Sequence, residues 1–340
     1  MSLSRPDATP RKIAFPNRLS FESGCVLAET VRGLAPEGRY IFDLSGMQWV
    51  EPFAMLHVAS TVAQKIDACP KMVIAAVGHT NGYARFMGFF RELGIPGEGG
   101  ASPPENHENY LPIQTLNLRE VRADAARRDM APGQIIETHT RNIARTLARQ
   151  NYGPLWETIQ YALREIIRNA AEHSKCDHVL YCGQFWPTKN KVEVAILDEG
   201  IGIVRSLQKN PLIQEQSEFD LLRLSLKPGI SGVHYEGAQM DENNVWANSG
   251  FGLYVVSELC KRGGSLTVLS GNSGIRVSSD GESAMTGSHA GTALRLIINT
   301  SNLRSIAASL ALIVAKGEQI ARTQNVSRSS ASGASKRLFD

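Results

Sequence analysis

Residues Leu155 to Ser174, LWETIQYALREIIRNAAEHS, form the stretch around which the chain is organised. At 3.6 residues per turn, Leu155, Ile159, Leu163, Ile166 and Ala170 fall in one stripe. That spacing predicts the core face of an amphipathic helix. Glu165 and Asn169 stand one turn apart and stack as neighbours on the helix surface. They lie about 100° round from the centre of the stripe, at the border between core and solvent. A carboxylate and an amide there are placed to line a pocket. Glu172 is expected to face solvent, and His173, close to the stripe, to be structural.

Farther along the chain, Val192, Val194 and Ile196 alternate as a half-buried strand should, and the strand ends in Asp198-Glu199-Gly200-Ile201-Gly202. Asn248-Ser249-Gly250-Phe251-Gly252-Leu253 opens a helical run to Arg262, which Gly263-Gly264 stops. Gly291-Thr292 opens another strand. In this order, E-x-x-x-N, D-x-G-x-G, G-x-G and G-T closely resemble the GHKL ATPase superfamily. That superfamily holds the ATP-binding domains of gyrase, MutL, histidine kinases and anti-sigma-factor serine kinases.

The resemblance covers residues 154–300 and implies a two-layer α/β sandwich of the Bergerat type, with ATP and Mg²⁺ as cofactors. It implies that Asp198 takes the adenine amine and that Thr292 supports this contact from the neighbouring strand. Gly200 and Gly202 would let the backbone approach the nucleotide without a Cβ in the way. Ser249, Gly250 and Gly252 would hold phosphates at a helix N-terminus. Asn169 would offer its side-chain oxygen to Mg²⁺, a hard ion that takes oxygen ligands. Glu165 would be the catalytic group, polarising an attacking water or hydroxyl. Residues 203–249 would form the ATP lid, with Lys227-Pro228-Gly229 and His234 as candidates for the terminal phosphate. Residues 271–290, rich in Gly and Ser, read as a flexible excursion between strands.

Residues 11–95 form a separate small α/β domain. Strands are predicted at Lys12–Phe15, Tyr40–Leu44 and Met72–Val77, with helices at Phe21–Leu34, Phe53–Ile66 and Asn81–Leu93. Tyr83, Phe86, Phe89 and Phe90 are expected in its core. YIFDLSGMQWVEPFAMLHVA, starting at Tyr40, resembles the centre of a STAS domain, where a strand ends in D-L-S and a helix begins at a phosphorylatable serine. Here that helix start reads Glu51-Pro52-Phe53-Ala54 and offers no hydroxyl. Pro52 suits a first helical turn, and Glu51 complements its dipole. The domain therefore reads as a STAS-like docking module for a regulatory protein partner. Pro96 to Pro104 marks a boundary, and residues 96–153 read as linker plus two connecting helices, Leu116–Asp129 and Gln134–Gln150. His139 lacks the following proline and the long hairpin of a histidine-kinase phosphoacceptor. Residues 301–340 read as an apolar helix, Leu303–Lys316, and a basic, Ser-rich, disordered tail.

Composition narrows the function classes. Hydrophobic residues make up 42% and charged residues 20%, as in ordinary globular proteins. The net charge is +3, but residues 301–340 alone carry +4. No domain-wide basic field of the kind nucleic acid needs is left. Five scattered cysteines favour neither a disulfide framework nor a zinc site. No apolar leader or membrane span is read, so a cytoplasmic protein is expected. With only residues 301–340 after the last strand, a strand-passage or mismatch-repair machine with a further transducer domain is not expected. Three readings stay open: a regulatory ATPase acting as a nucleotide-controlled switch, an anti-sigma-type serine/threonine protein kinase, and a nucleotide-gated binding module without turnover. A homodimer is compatible with all three.

Overall fold

The computed structural model describes residues 9–98, 109–213, 216–232 and 250–323, and the chain divides into two units, Met1–Asn106 and His107–Asp340. The first unit runs β1 (Arg11–Ala14), β2 (Arg18–Leu19), α1 (Phe21–Arg32), β3 (Arg39–Asp43), β4 (Trp49–Val50), α2 (Pro52–Ala68), β5 (Val73–Val77), α3 (Gly82–Phe86) and α4 (Phe89–Glu92). Strands pair in parallel in the order β1-β3-β5, with β2 and β4 forming a short second pair. Ser20 and Ser23 close a reciprocal cap at the start of α1, satisfying donors that the first turn leaves free.

One local expectation gains detail and another changes. Pro52 sits in the first turn of α2 and Glu51 is its N-cap residue, but the Glu51 side chain makes no cap hydrogen bond. Its Oε2 instead accepts the Phe21 N–H of α1 at 2.8 Å, because that buried first-turn donor has no partner within its own helix. The helix expected over residues 81–93 is two short ones, split at Gly88. There φ is +81°, a left-handed conformation that a right-handed helix cannot pass through. Phe89 and Phe90 are fully buried, whereas Tyr83 and Phe86 are half-buried.

The second unit begins with β6 (Tyr110–Asn117), α5 (Leu118–Arg127), α6 (Pro132–Ala148) and α7 (Pro154–His173). It continues through β7 (His178–Trp186), β8 (Lys191–Asp198), α8 (Gly202–Leu207), α9 (Glu218–Ser225) and α10 (Gly252–Gly263). It closes with β9 (Gly264–Gly271), β10 (Ser273–Ser278), β11 (Gly281–Met285), β12 (His289–Asn299) and α11 (Leu303–Thr323). The sheet order is β11-β10-β9-β12-β8-β7-β6, and every neighbouring pair is antiparallel. Val192, Val194 and Ile196 of β8 and Leu294, Leu296 and Ile298 of β12 share one core with the helices. This is a mixed α/β sandwich, as the sequence predicts. Among the described residues, no helix is long and apolar enough to cross a membrane.

Three stretches depart from expectation. The two connecting helices form, but α6 packs along α7 through Ile136, Ile143 and Leu147, and β6 pairs with β7 as an edge strand. Described residues between 110 and 148 therefore belong to the second unit and are not a free linker. Residues 273–285 make a β-hairpin, β10–β11, whose Ile275 and Val277 are buried, in place of a flexible excursion. The C-terminal helix runs on to Thr323.

Candidate functional site

α7 supplies one wall. Leu155, Ile159, Leu163, Ile166 and Ala170 all enter the core, as their spacing predicts. Asn169 is half-buried and lines a pocket bounded by α7, the end of β8, α8 and the first turn of α10. Ile166, Ile196, Leu253 and Leu294 make that pocket an apolar slot. Glu165 stands elsewhere than expected. It is 3% exposed and does not line the slot, because α10 packs against its flank: a Cβ on Gly252 would collide with Glu165 Oε2. Its Oε1 accepts from Arg164 Nε at 3.1 Å and Nη2 at 2.6 Å. Glu172 is not solvated either; its side chain is 3% exposed and lies 3.5 Å from Arg168. The His173 side chain falls outside what is described.

Asp198 closes the slot at the other end. It ends β8 directly opposite Thr292 of β12 in the strand register. Its Oδ1 accepts the Gly200 N–H at 2.9 Å, and Thr292 donates to the carboxylate through both side chain and backbone. Burial pushes the Asp198 carboxyl up to about 6, while the bonds from Gly200 and Thr292 pull the other way. Taking a carboxylate out of water disfavours its charged form, and donors aimed at it restore part of the loss.

The glycines act first within the protein. Gly202 has φ +76°, and a Cβ there would meet Ser270 Oγ at 2.5 Å. Gly200 does not line the slot; a Cβ on it would strike the Ser174 carbonyl, which accepts the Ile201 N–H at 2.8 Å. The D-x-G-x-G glycines are thus fixed by close approach to neighbouring backbone and to Ser270. Gly250, with φ +70°, and Gly252 both line the pocket. Gly250 O accepts the Gly229 N–H at 3.1 Å. Ser249 and His234 lie outside the described residues. Lys227 is 4.0 Å from Glu282.

The expected lid is only partly a free segment. Within it, α8 and α9 pack on the sheet, and Glu218 accepts the Asn272 N–H at 2.7 Å. Residues 233–249 lie outside the described set. His139 is held by Tyr181, Nε2 to Oη at 2.8 Å, and Tyr181 in turn donates to Gln114 at 2.7 Å. Burial pushes the His139 imidazole down.

Three residues at the slot were not found by sequence reasoning. His289, 1% exposed, places Nε2 2.9 Å from the Asp198 backbone carbonyl. A carbonyl only accepts, so that nitrogen carries the proton. Ser270 Oγ accepts from Ile203 N–H at 3.0 Å and donates to Gly291 O at 2.9 Å. Ser174 ends α7 and lines the slot. None carries a periodic or motif signal; only the fold brings them to the slot and the backbone around it.

The arrangement offers a buried acceptor at the floor of an apolar slot, an amide oxygen on α7, and a helix N-terminus. An adenine amine, a hard cation and phosphates match these in turn. Asn169 gives one oxygen, and a Mg²⁺ that keeps most of its waters and takes phosphate oxygens needs few protein ligands.

Residues 156–300 match the family described as histidine kinase-, DNA gyrase B- and HSP90-like ATPase. Searches of curated proteins and of solved structures found no match. Together, the match and the sandwich support an ATP-binding module of the GHKL ATPase/kinase type at residues 156–300.

Proposed function

We propose that the protein is a Mg²⁺-dependent regulatory ATPase that acts as a nucleotide-controlled switch through protein–protein contacts. The observation that carries this reading is Asp198, a buried carboxylate held by donors from Gly200 and Thr292 at the floor of the slot. In this reading Asp198 accepts the adenine amine, Asn169 ligates Mg²⁺, and Gly250 and Gly252 receive phosphates at the start of α10. Glu165 polarises the attacking water. The first unit, STAS-like in sequence, docks a regulatory partner. It is not itself a phosphoacceptor, since Glu51-Pro52-Phe53-Ala54 stands where a serine would begin α2.

The test is ATP turnover by the full chain, followed as free phosphate and as phosphorylated protein. Free phosphate without labelled protein supports the switch. Label transferred to a co-purifying partner makes the protein a serine/threonine kinase of the anti-sigma type, and bound ATP without turnover makes it a gated binding module. Glu165→Gln retains ATP and Mg²⁺ but loses roughly 10²–10⁴-fold of turnover, the usual worth of a general base. Asn169→Ala weakens Mg²⁺-dependent affinity as well as rate. Peptide mapping after labelled ATP finds residues 45–60 unlabelled, Ser45 included; stoichiometric label there overturns the docking assignment.

A further inference from the structure

Arg164 and Glu165 are adjacent on α7, and both side chains are 4% exposed. Both guanidinium contacts go to one carboxylate oxygen, Oε1. The guanidinium also lies over the ring of Tyr161, 5.1 Å from its centroid, and Tyr161 is fully buried. Arg164 is therefore held on two sides. Oε2 takes no part in the fork. It is the atom nearest to where a Cβ on Gly252 would stand, ahead of Glu165 Cβ at 3.0 Å. Gly252 is the first residue of α10 and lines the nucleotide slot.

A buried ion pair of this kind is a costly way to hold a helix. Apolar residues of similar volume often serve as well or better. The pair does have one consequence that apolar residues could not supply: it distinguishes the two oxygens of Glu165. One is tied down, and the other is turned to the edge of the slot.

We propose that Arg164 is a positioning residue for Glu165, holding Oε1 so that Oε2 is the oxygen presented beside Gly252 to the attacking water. The inference rests on the reading of Glu165 as the catalytic carboxylate. In the step it serves, a water proton passes to Oε2 as the water oxygen bonds to the terminal phosphorus of ATP. The bond from that phosphorus to the bridging oxygen breaks, and ADP leaves with the electron pair. Arg164 touches neither water nor phosphate; it contributes orientation, where a misplacement of about 1 Å can cost on the order of 10²-fold in rate.

The experiment is steady-state ATP hydrolysis by the full chain, with ATP affinity from titration calorimetry and folding checked by circular dichroism. Arg164→Gln keeps KM and ATP affinity within about twofold and lowers kcat about 10- to 100-fold, the pattern of an interaction that acts in the transition state. Arg164→Lys keeps the charge but cannot hold Oε1 at two points, and its kcat falls between Arg164→Gln and wild type. In a Glu165→Gln background, Arg164→Gln adds no further loss of rate. A folded Arg164→Gln with wild-type kcat overturns the inference, as does a loss that adds in full to that of Glu165→Gln. If Arg164→Gln does not fold, Arg164→Lys with wild-type kcat overturns it. Failure of the underlying reading looks different: Glu165→Gln itself then turns over ATP at the wild-type rate.

Discussion

Two aspartates close two strands in this molecule with the same local geometry and opposite electrostatics. Asp43 ends β3 and accepts the Ser45 N–H at 3.0 Å; Asp198 ends β8 and accepts the Gly200 N–H at 2.9 Å. Each is a carboxylate bonded to the backbone two residues on. Asp43 also holds Lys12 at 2.6 Å and the Ser45 hydroxyl at 2.6 Å, and these bonds hold its carboxyl down at about 2. Asp198 has no cation among its described hydrogen-bond partners and is 4% exposed, and burial raises it to about 6. The turn is the same, but its surroundings decide its use. Asp43 is satisfied within its own unit, whereas Asp198, in the proposed reading, accepts a donor brought by the nucleotide.

The largest expected difference is in ATP affinity. Asp198→Asn weakens ATP roughly 10- to 150-fold, the worth of a charge-assisted hydrogen bond, while Asp43→Asn leaves it unchanged. Titration calorimetry on both variants checks this, and equal affinities for Asp198→Asn and wild type would sink the adenine assignment. GTP, which presents a carbonyl at that position, binds poorly to the wild type.

The second difference is in stability without nucleotide. Folded Asp198 keeps its proton to a higher pH than the unfolded chain does. Stability therefore falls as pH rises from about 4 to about 6, and the cost stays constant above that. It amounts to at most about 3 kcal/mol at neutral pH. Asp198→Asn is accordingly the more stable apo protein at pH 7 in urea denaturation, and its advantage disappears toward pH 4. A site residue that stabilises the apo protein when neutralised separates function from folding.

The third concerns pH and binding together. Below about pH 6, the affinity advantage of wild type over Asp198→Asn shrinks by about tenfold per unit. Comparing the two proteins removes the titration of ATP itself. An advantage unchanged down to pH 5 would contradict the raised carboxyl.

The smallest effect is at Asp43, and its sign is reversed. A carboxyl held below its ordinary value stabilises the fold at neutral pH, and that contribution is lost as pH falls from about 4 to about 2. Asp43→Asn lowers the thermal midpoint slightly at pH 7, less so in high salt, which screens the exposed Lys12. A rise in the midpoint would break the contrast.

How much of this was legible depended on range along the chain. The α7 stripe, the β8 alternation and the four motifs are local patterns, and each lands on the element expected of it. The burial of Glu165 was not legible, because α10 covers that flank and α10 lies far along the sequence. β6 was hidden by Pro112 and by an irregular register between Leu111 and Gln114, which spoils a two-residue period. The β10–β11 hairpin was hidden because Ile275 and Val277 are too few inward positions to stand out among glycines and serines. His289 reaches Asp198, Ser270 reaches Gly291 and Ser174 reaches Ile201 only through sheet pairing and close backbone approach.

The pairing of β8 with β12 also bears on when the site comes into existence. Asp198 and His289 touch across 91 residues of chain, and closing so long a loop costs entropy before any contact repays it. The two halves of the slot are therefore late to meet. A chain halted before β12 has the α7 helix and the Asp198 turn but lacks Thr292 and His289, the β12 residues that meet Asp198. ATP adds about 2.7 kcal/mol at a hundred times its Kd to a protein that binds it only when folded. Nucleotide thus acts as a selective clamp on finished molecules and gives no help to those still on the way.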